Sequence, residues 1–120
     1  MDPVKAKIFT DAKERLEKSQ KDRVKLVQSY EALATQLEET KMAKSEVDLL
    51  EEDDKISRLM GPVLIPQTVE EALEYLGHRI GFIEEELKRT QKRIDDADKM
   101  TETASMELQK AHDALKTGKK

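Results

Sequence analysis

The sequence predicts a mainly α-helical fold in which two long helices form an antiparallel coiled coil and are joined by a single β-hairpin. Two segments carry apolar residues at alternating spacings of three and four, the pattern of helices that supercoil around each other. Only residues 51–67 lie between these segments, and so short a connection makes the helices antiparallel. Of the 120 residues, 40% are charged and 3% aromatic. This composition is typical of a coiled coil and not of an enzyme with a deep core.

The first helix is predicted over residues 8–50, after a frayed start at residues 1–7. Four of its seam positions are polar: Ser19, Arg23, Thr40 and Lys44. One interpretation is that they set the register and the choice of partner at some cost in stability. The other is that the helix opens, or meets a different chain, at these positions. The predicted seam consists of Phe9, Ala12, Leu16, Ser19, Arg23, Leu26, Tyr30, Leu33, Leu37, Thr40, Lys44 and Val47.

An acidic run at residues 51–54 is predicted to end the first helix, because carboxylates are unfavourable at the negative end of the helix dipole. A calcium-binding loop is the alternative interpretation of this run. The alternating oxygen ligands and the glycine of such a loop are missing. The sequence therefore predicts no metal ion and no cofactor.

A β-hairpin is predicted over residues 55–66, where two short β-compatible runs flank the pair Gly61-Pro62. Pro66 is expected to end the second strand because it lacks an N–H group, and the type of turn stays open. A lone two-stranded hairpin is marginally stable in water, so its apolar side chains must cover another surface. They fold onto their own helices or, as we favour, meet strands of other subunits. These side chains are Ile56, Leu59, Met60, Val63, Leu64 and Ile65.

The second helix is predicted over residues 68–116, followed by a tail at 117–120. Thr68 and Glu71 have the spacing of a capping box, in which each side chain accepts a hydrogen bond from the other residue's N–H group. The seam of this helix is more apolar than that of the first. It consists of Leu73, Leu76, Ile80, Ile83, Leu87, Thr90, Ile94, Ala97, Thr101, Ala104, Leu108, Ala111 and Leu115.

Two pairs of residues stand outside this seam, close in sequence to the hairpin. Gly77 and Gly81 interrupt a helix in which alanine would be about 1 kcal/mol better at each position. We interpret them as a place where another backbone, such as that of the hairpin, approaches closely. Tyr75 and Phe82 are seven residues apart and share an outward face, which predicts a covered aromatic patch. Isolated apolar residues on the surface are the ordinary alternative.

Composition and spacing argue against several functions. The net charge of −4 comes from interspersed acidic and basic residues, which does not favour nucleic-acid binding. The chain has no cysteine, and no apolar run reaches the length of a signal core or a membrane span. His78 and His112 stand apart, and a helical hairpin offers no pocket that would separate the pKa values of paired carboxylates. We therefore expect a non-enzymatic cytoplasmic protein without nucleic-acid or membrane partners.

Residues 58–64, Arg-Leu-Met-Gly-Pro-Val-Leu, resemble the Lys-Leu-x-Gly-Pro-Val-Leu core of the prefoldin β class, in particular its eukaryotic subunit 6 branch. Residues 70–72, Glu-Glu-Ala, and the pattern Gly-x-Arg-Ile-x-Phe-Ile-x-x-Glu-x-Lys-Arg over 77–89 are also similar to that branch. The longer two-hairpin linker of the α class does not fit into residues 51–67. The chain departs from its relatives at Ser57, where they often carry an apolar residue, and at Pro66, where they often carry lysine.

The resemblance implies that residues 1–120 form one prefoldin β-like domain within a hexamer of two α-class and four β-class subunits. In such a hexamer the hairpins join an oligomeric β-barrel. The coiled-coil tips hold unfolded clients of the actin and tubulin class and pass them to the cytosolic chaperonin without ATP. The residues implied in subunit assembly are Ile56, Leu59, Met60, Val63, Leu64, Ile65, Tyr75, Gly77, Gly81 and Phe82.

Antiparallel pairing brings residues 8–20 beside residues 105–116, where an apolar cluster is predicted at a frayable end. Such a cluster can bind nonnative chains with little selectivity, and methionine adapts well to this role. Its members are Ile8, Phe9, Ala12, Leu16, Met106, Leu108, Ala111 and Leu115. The alternative function is a structural coiled-coil adaptor or tether with one fixed helical partner. That function explains the heptads but not the apolar hairpin, and it predicts a dimer in place of a hetero-hexamer.

Overall fold

Two long helices and a two-stranded antiparallel hairpin make up the chain, in the order α1 (Pro3–Asp48), β1 (Ile56–Met60), β2 (Val63–Gln67) and α2 (Val69–Thr117). This architecture, seen in a computed structural model that describes residues 2–117, confirms the predicted fold class of helices joined by one hairpin. Most of the predicted tail, residues 118–120, lies outside the described residues.

Helix α1 begins at Pro3, earlier than the predicted Ile8, because the residues before it cap the helix. The carboxylate Oδ1 of Asp2 accepts the N–H of Val4 at 2.9 Å. The carbonyl of Asp2 accepts the N–H of Ala6 at 3.0 Å. Proline at the first helical position loses no hydrogen bond and already has a helical φ. The segment predicted to be frayed is therefore helical from Pro3 onwards.

Helix α1 ends at Asp48, just before the predicted end at Leu50. The N–H groups of Leu49 and Leu50 donate to carbonyls three residues back, at 3.2 Å and 3.0 Å, which tightens the last turn. The acidic run then forms a turn of its own. In it the carboxylate of Asp54 accepts the N–H of Glu51 at 2.7 Å, and the carbonyl of Glu51 accepts the N–H of Asp54 at 3.0 Å.

The hairpin closes through a two-residue turn between Met60 and Val63, which pair across the strands. Gly61 has a φ of +59°, and the ring of Pro62 fixes its own φ near about −65°. A glycine with positive φ at the first central position is the requirement of a type II′ turn, whose twist matches that of the flanking strands. The structure thus decides a turn type that the sequence left open.

Pro66 lies inside β2, which runs on to Gln67, so the prediction that it ends the strand is wrong. Residues flanking a two-residue turn form a hydrogen-bonded pair, and the pair types alternate from there. Pro66 pairs with Ser57 in a position where backbone groups point away from the neighbouring strand. Its missing N–H therefore costs the hairpin no ladder bond. It does remove a donor from the outer edge of β2.

Helix α2 begins after Thr68, with the predicted capping box in place. The hydroxyl of Thr68 accepts the N–H of Glu71 at 3.0 Å, and the carboxylate of Glu71 accepts the N–H of Thr68 at 3.2 Å. Two donors that a helix start leaves without intrahelical partners are thereby satisfied.

The chain divides into two compact units, each containing part of both helices. The terminal unit comprises residues 2–30 and 90–117, and the hairpin unit comprises residues 31–89. In the hairpin unit Ile83 is fully buried, and Val69 and Ala72 are also buried. In the terminal unit the buried apolar side chains belong mostly to alanine. Of the predicted seam positions, only Arg23 is exposed among the described residues.

The cap of α2 gives a direct test of local stability. We expect Thr68→Ala to lower the free energy of unfolding by about 0.5–2 kcal/mol, because Glu71 loses the acceptor for its N–H. Thr68→Ser keeps the hydroxyl and serves as the matched control. Urea denaturation followed by circular dichroism measures both. Equal stability of Thr68→Ala and wild type would mean that the cap contributes nothing.

Candidate assembly and client-binding surfaces

The two faces of the hairpin differ in exposure. On the outer face Leu59 pairs with Leu64, and these side chains are 65% and 66% exposed. On the inner face Ile56 and Ile65 are half-buried within the hairpin unit. The sequence analysis grouped all these apolar residues as one surface. The structure separates an inner face, which packs on its own chain, from an outer leucine pair that no described residue covers.

Met60 and Val63 lie beside the turn, on the same face as Ile56 and Ile65. Both remain exposed, because the turn carries them past the covered part of the hairpin. The exposed apolar surface of the hairpin therefore consists of the leucine pair and these two turn-flanking residues.

Arg58 connects the hairpin to α2. Its guanidinium carbon lies 4.3 Å from the centroid of the Tyr75 ring, and Nη2 donates to Sδ of Met60 at 3.3 Å. Sequence reasoning did not single out Arg58 as a functional residue. The alternation of side chains along β1 could have identified it, because that alternation places Arg58 on the same face as Ile56. Phe82, predicted to share a covered patch with Tyr75, stays exposed.

Gly77 and Gly81 face open space. A Cβ added at either position would meet no described atom within 4 Å outside the helix's own backbone. The interpretation that the chain's own hairpin approaches these glycines is therefore wrong. Because glycine weakens a helix, the two residues have no structural explanation within this chain.

Polar side chains join the helices across the seam of the terminal unit. The hydroxyl oxygens of Ser19 and Thr101 lie 2.6 Å apart and share a hydrogen bond. Arg23 pairs with Asp98. On the other side of Ser19, Nη2 of Arg15 lies 3.2 Å from a carboxylate oxygen of Glu107. In these three contacts the residue numbers increase along α1 while those of the partners decrease along α2. The contacts therefore fix the antiparallel register of this unit.

The four polar seam positions thus fall into two groups. Ser19 and Arg23 bond across to α2 and support the interpretation that they set the register. Thr40 and Lys44 bond within their own helix. The hydroxyl of Thr40 donates to the carbonyl of Gln36 at 2.6 Å, and Nζ of Lys44 lies 3.3 Å from Asp48.

The predicted client-binding cluster divides into seam and surface residues. Phe9 packs against His112, with ring centroids 6.1 Å apart. Ile8 and Met106 are exposed by 52% and 57%. The remaining members are buried or half-buried in the seam: Ala12, Leu16, Leu108, Ala111 and Leu115.

Three exposed apolar residues of the terminal unit escaped the sequence analysis: Val4, Val24 and Met100. Met100 lies outside the heptad seam, and Val4 lies in the segment that was predicted to be frayed. Met100 also lines a groove of about 700 Å³ on this unit. Ser19 and Ala104 lie in the floor of the groove, and its charged rim comprises Arg15, Lys18, Asp22, Lys99 and Glu107.

Within residues 2–117, no three acidic or histidine side chains gather in a way that would hold a metal ion. Over the same part of the chain, neither helix is long and apolar enough to cross a membrane.

Comparisons with known proteins agree with this geometry. Residues 11–116 match the family described as "Prefoldin subunit". A probable prefoldin subunit 6 from Caenorhabditis briggsae is 37% identical over 112 residues, covering 91% of this chain and 88% of the relative. Prefoldin subunit 6 from Saccharomyces cerevisiae is 40% identical over 87 residues, with coverage of 72% and 76%.

Among solved structures, the prefoldin beta subunit from Thermococcus strain KS-1 superposes with a TM-score of 0.76 and 20% sequence identity. The match covers 86% of this chain and 90% of that one. The chain belongs to the prefoldin subunit family, and its similarity to subunit 6 relatives confirms the resemblance found in residues 58–89. Prefoldin subunits are components of a chaperone and not enzymes, as the sequence predicted.

A double-mutant cycle tests which polar contact carries the register of the terminal unit. We expect a coupling free energy of about 0.5–1.5 kcal/mol between Ser19→Ala and Thr101→Val, because their hydrogen bond is partly buried. The exposed pair of Arg23 and Asp98 should couple by only about 0.2–1 kcal/mol, and less at high salt. Urea titrations at two salt concentrations measure both cycles. A larger coupling for the ion pair would reverse this assignment.

Proposed function

We propose that this chain is a β-class subunit of a cytoplasmic hetero-hexamer that captures unfolded proteins and transfers them to the cytosolic chaperonin without ATP. The clients we propose are chains of the actin and tubulin class. The observation that carries the assembly part of the proposal is the exposed pair of Leu59 and Leu64. A coiled-coil tether with one helical partner would have no use for such a pair.

The hairpin supplies two features that suit addition to other strands. The leucine pair offers apolar area on one face, and burying such a side chain contributes about 1.5–3 kcal/mol. The backbone supplies edge groups, since Ser57 and Leu59 occupy positions whose N–H groups point outward from β1. On the outer edge of β2, Pro66 has no N–H group to donate. The β1 edge is therefore the better template for a neighbouring strand.

The exposed glycines fit the same proposal. Gly77 and Gly81 leave open space on the segment of α2 that follows the hairpin. A neighbouring subunit that approaches this helix closely would explain why residues that weaken the helix are present.

The terminal unit supplies a surface for nonnative chains. The seam of this unit buries Ala12, Ala97, Ala104 and Ala111, which contribute little apolar area. Ile8, Met100 and Met106 are exposed beside it. Flexible methionines adapt to many apolar partners. Capture through such contacts needs no nucleotide, and several subunits acting together raise a weak affinity through avidity.

Charges placed on the leucine pair test assembly. We expect Leu59→Asp combined with Leu64→Asp to abolish entry into the hexamer, because burying an unpaired carboxylate costs several kcal/mol. Native mass spectrometry after mixing with the partner subunits measures the yield, and circular dichroism checks that the mutant remains helical. Met42→Asp is the matched control, since Met42 is 64% exposed but lies on α1. A normal yield from the leucine double mutant would refute the assembly proposal.

Exposed residues of the terminal unit test client capture separately. We expect Ile8→Ser with Met106→Ser to assemble normally but to suppress the aggregation of denatured actin less well. The substitutions remove apolar contacts to the client and leave the seam intact. Light scattering with the purified hexamer, at low and high salt, measures suppression. Val24→Ser is the matched control, because Val24 is 54% exposed in the same unit.

Unchanged suppression by the Ile8 and Met106 double mutant would place the client-binding surface elsewhere. Suppression that salt alone abolishes would show that the contacts are mainly electrostatic.

A further inference from the structure

Arg58 occupies an unusual position for an arginine on a two-stranded hairpin. Its guanidinium lies over the face of the Tyr75 ring, 4.3 Å from the ring centroid. Its Nε is buried and has no hydrogen-bond partner among the described residues. An unpaired buried donor is unfavourable and rare. The ring face offsets part of this cost, because the quadrupole of an aromatic ring attracts a cation.

The stack also determines which way the hairpin faces. Side chains of a strand alternate between its two faces, so Arg58 and Leu59 point in opposite directions. When Arg58 lies on Tyr75, the cross-strand pair of Leu59 and Leu64 points away from α2. Rotation of the hairpin about its strands would break the stack and turn the leucines towards the helix.

We propose that Arg58 and Tyr75 form a latch that holds the hairpin on α2 in the orientation required for assembly, before any partner binds. Arg58 is then a positioning residue, since it acts through the leucine pair. This proposal rests on the proposed function, because it concerns how that assembly surface is presented. A hairpin of two strands is marginal alone, and a partner's apparent affinity falls with the fraction of molecules in the competent orientation.

The latch itself is tested by NMR on the full chain without partners. We expect the Nε–H of Arg58 to exchange with water more slowly than that of Arg79, which lies on an exposed position of α2. We also expect its proton to be shifted upfield by the Tyr75 ring. Tyr75→Phe keeps the ring and should preserve both signals, whereas Tyr75→Leu should abolish both. Fast exchange and an unshifted proton in the wild-type chain would overturn the latch.

Assembly kinetics test what the latch does. We expect Arg58→Ala to slow incorporation into the hexamer about 2- to 30-fold, the range that a cation–π contact provides. Arg58→Lys should be intermediate, because an ammonium group cannot stack on a ring as a planar guanidinium does. Arg93→Ala removes the same charge from an exposed position of α2 outside the segment near the hairpin and should assemble at the wild-type rate.

Two outcomes would overturn the positioning role. One is a wild-type rate for Arg58→Ala. The other is a loss of thermal stability in Arg58→Ala with an unchanged rate for the folded fraction, which would make the contact merely structural. Failure of the wild-type chain to enter any hexamer would refute the proposed function instead. The NMR measurement on the free chain would still decide whether the latch exists.

Discussion

A two-helix coiled coil buries only one narrow stripe of each helix, and the other features of this chain depend on that limit. Each helix presents one apolar seam to the other, and those seams contain most of the large apolar residues of the two helices. Little apolar surface is left over for a second core. Some large apolar side chains outside the seam, among them Leu59, Leu64, Ile8 and Met106, stay exposed. These are the surfaces that we propose for contacts with other chains.

The two units differ in the residues that occupy their seams. In the hairpin unit, Ile83 is fully buried and the polar seam residues Thr40 and Lys44 bond within their own helix. In the terminal unit, most of the buried apolar side chains belong to alanine, and Ser19 and Arg23 bond across to α2. Large apolar layers favour stable pairing but specify register weakly. A hydrogen bond between particular partners specifies the register, but it stabilises the helix pair less than a large apolar layer does.

The hairpin shows how backbone chemistry limits what side-chain patterns reveal. Pro66 seemed to end a strand because it cannot donate a hydrogen bond. It is tolerated within β2 because its position in the ladder needs no donor. Arg58 belongs to the segment that resembles the prefoldin β class, yet its guanidinium lies over a ring that comes from another element. In both cases the register of the strands decides what the residue does.

The sequence alone determined the two helices, their seams, the capping box at Thr68 and the hairpin around Gly61-Pro62. Each of these follows from periodicity or from hydrogen bonds between residues close in the chain. The start of α1 at Pro3 also depends on neighbouring residues, because Asp2 caps the helix. The sequence analysis did not use this capping residue. Only the tertiary structure decided which hairpin face is covered, which polar seam residues cross between the helices, and that open space surrounds Gly77. These properties depend on which side chains meet across elements, and periodicity along one element does not contain that information.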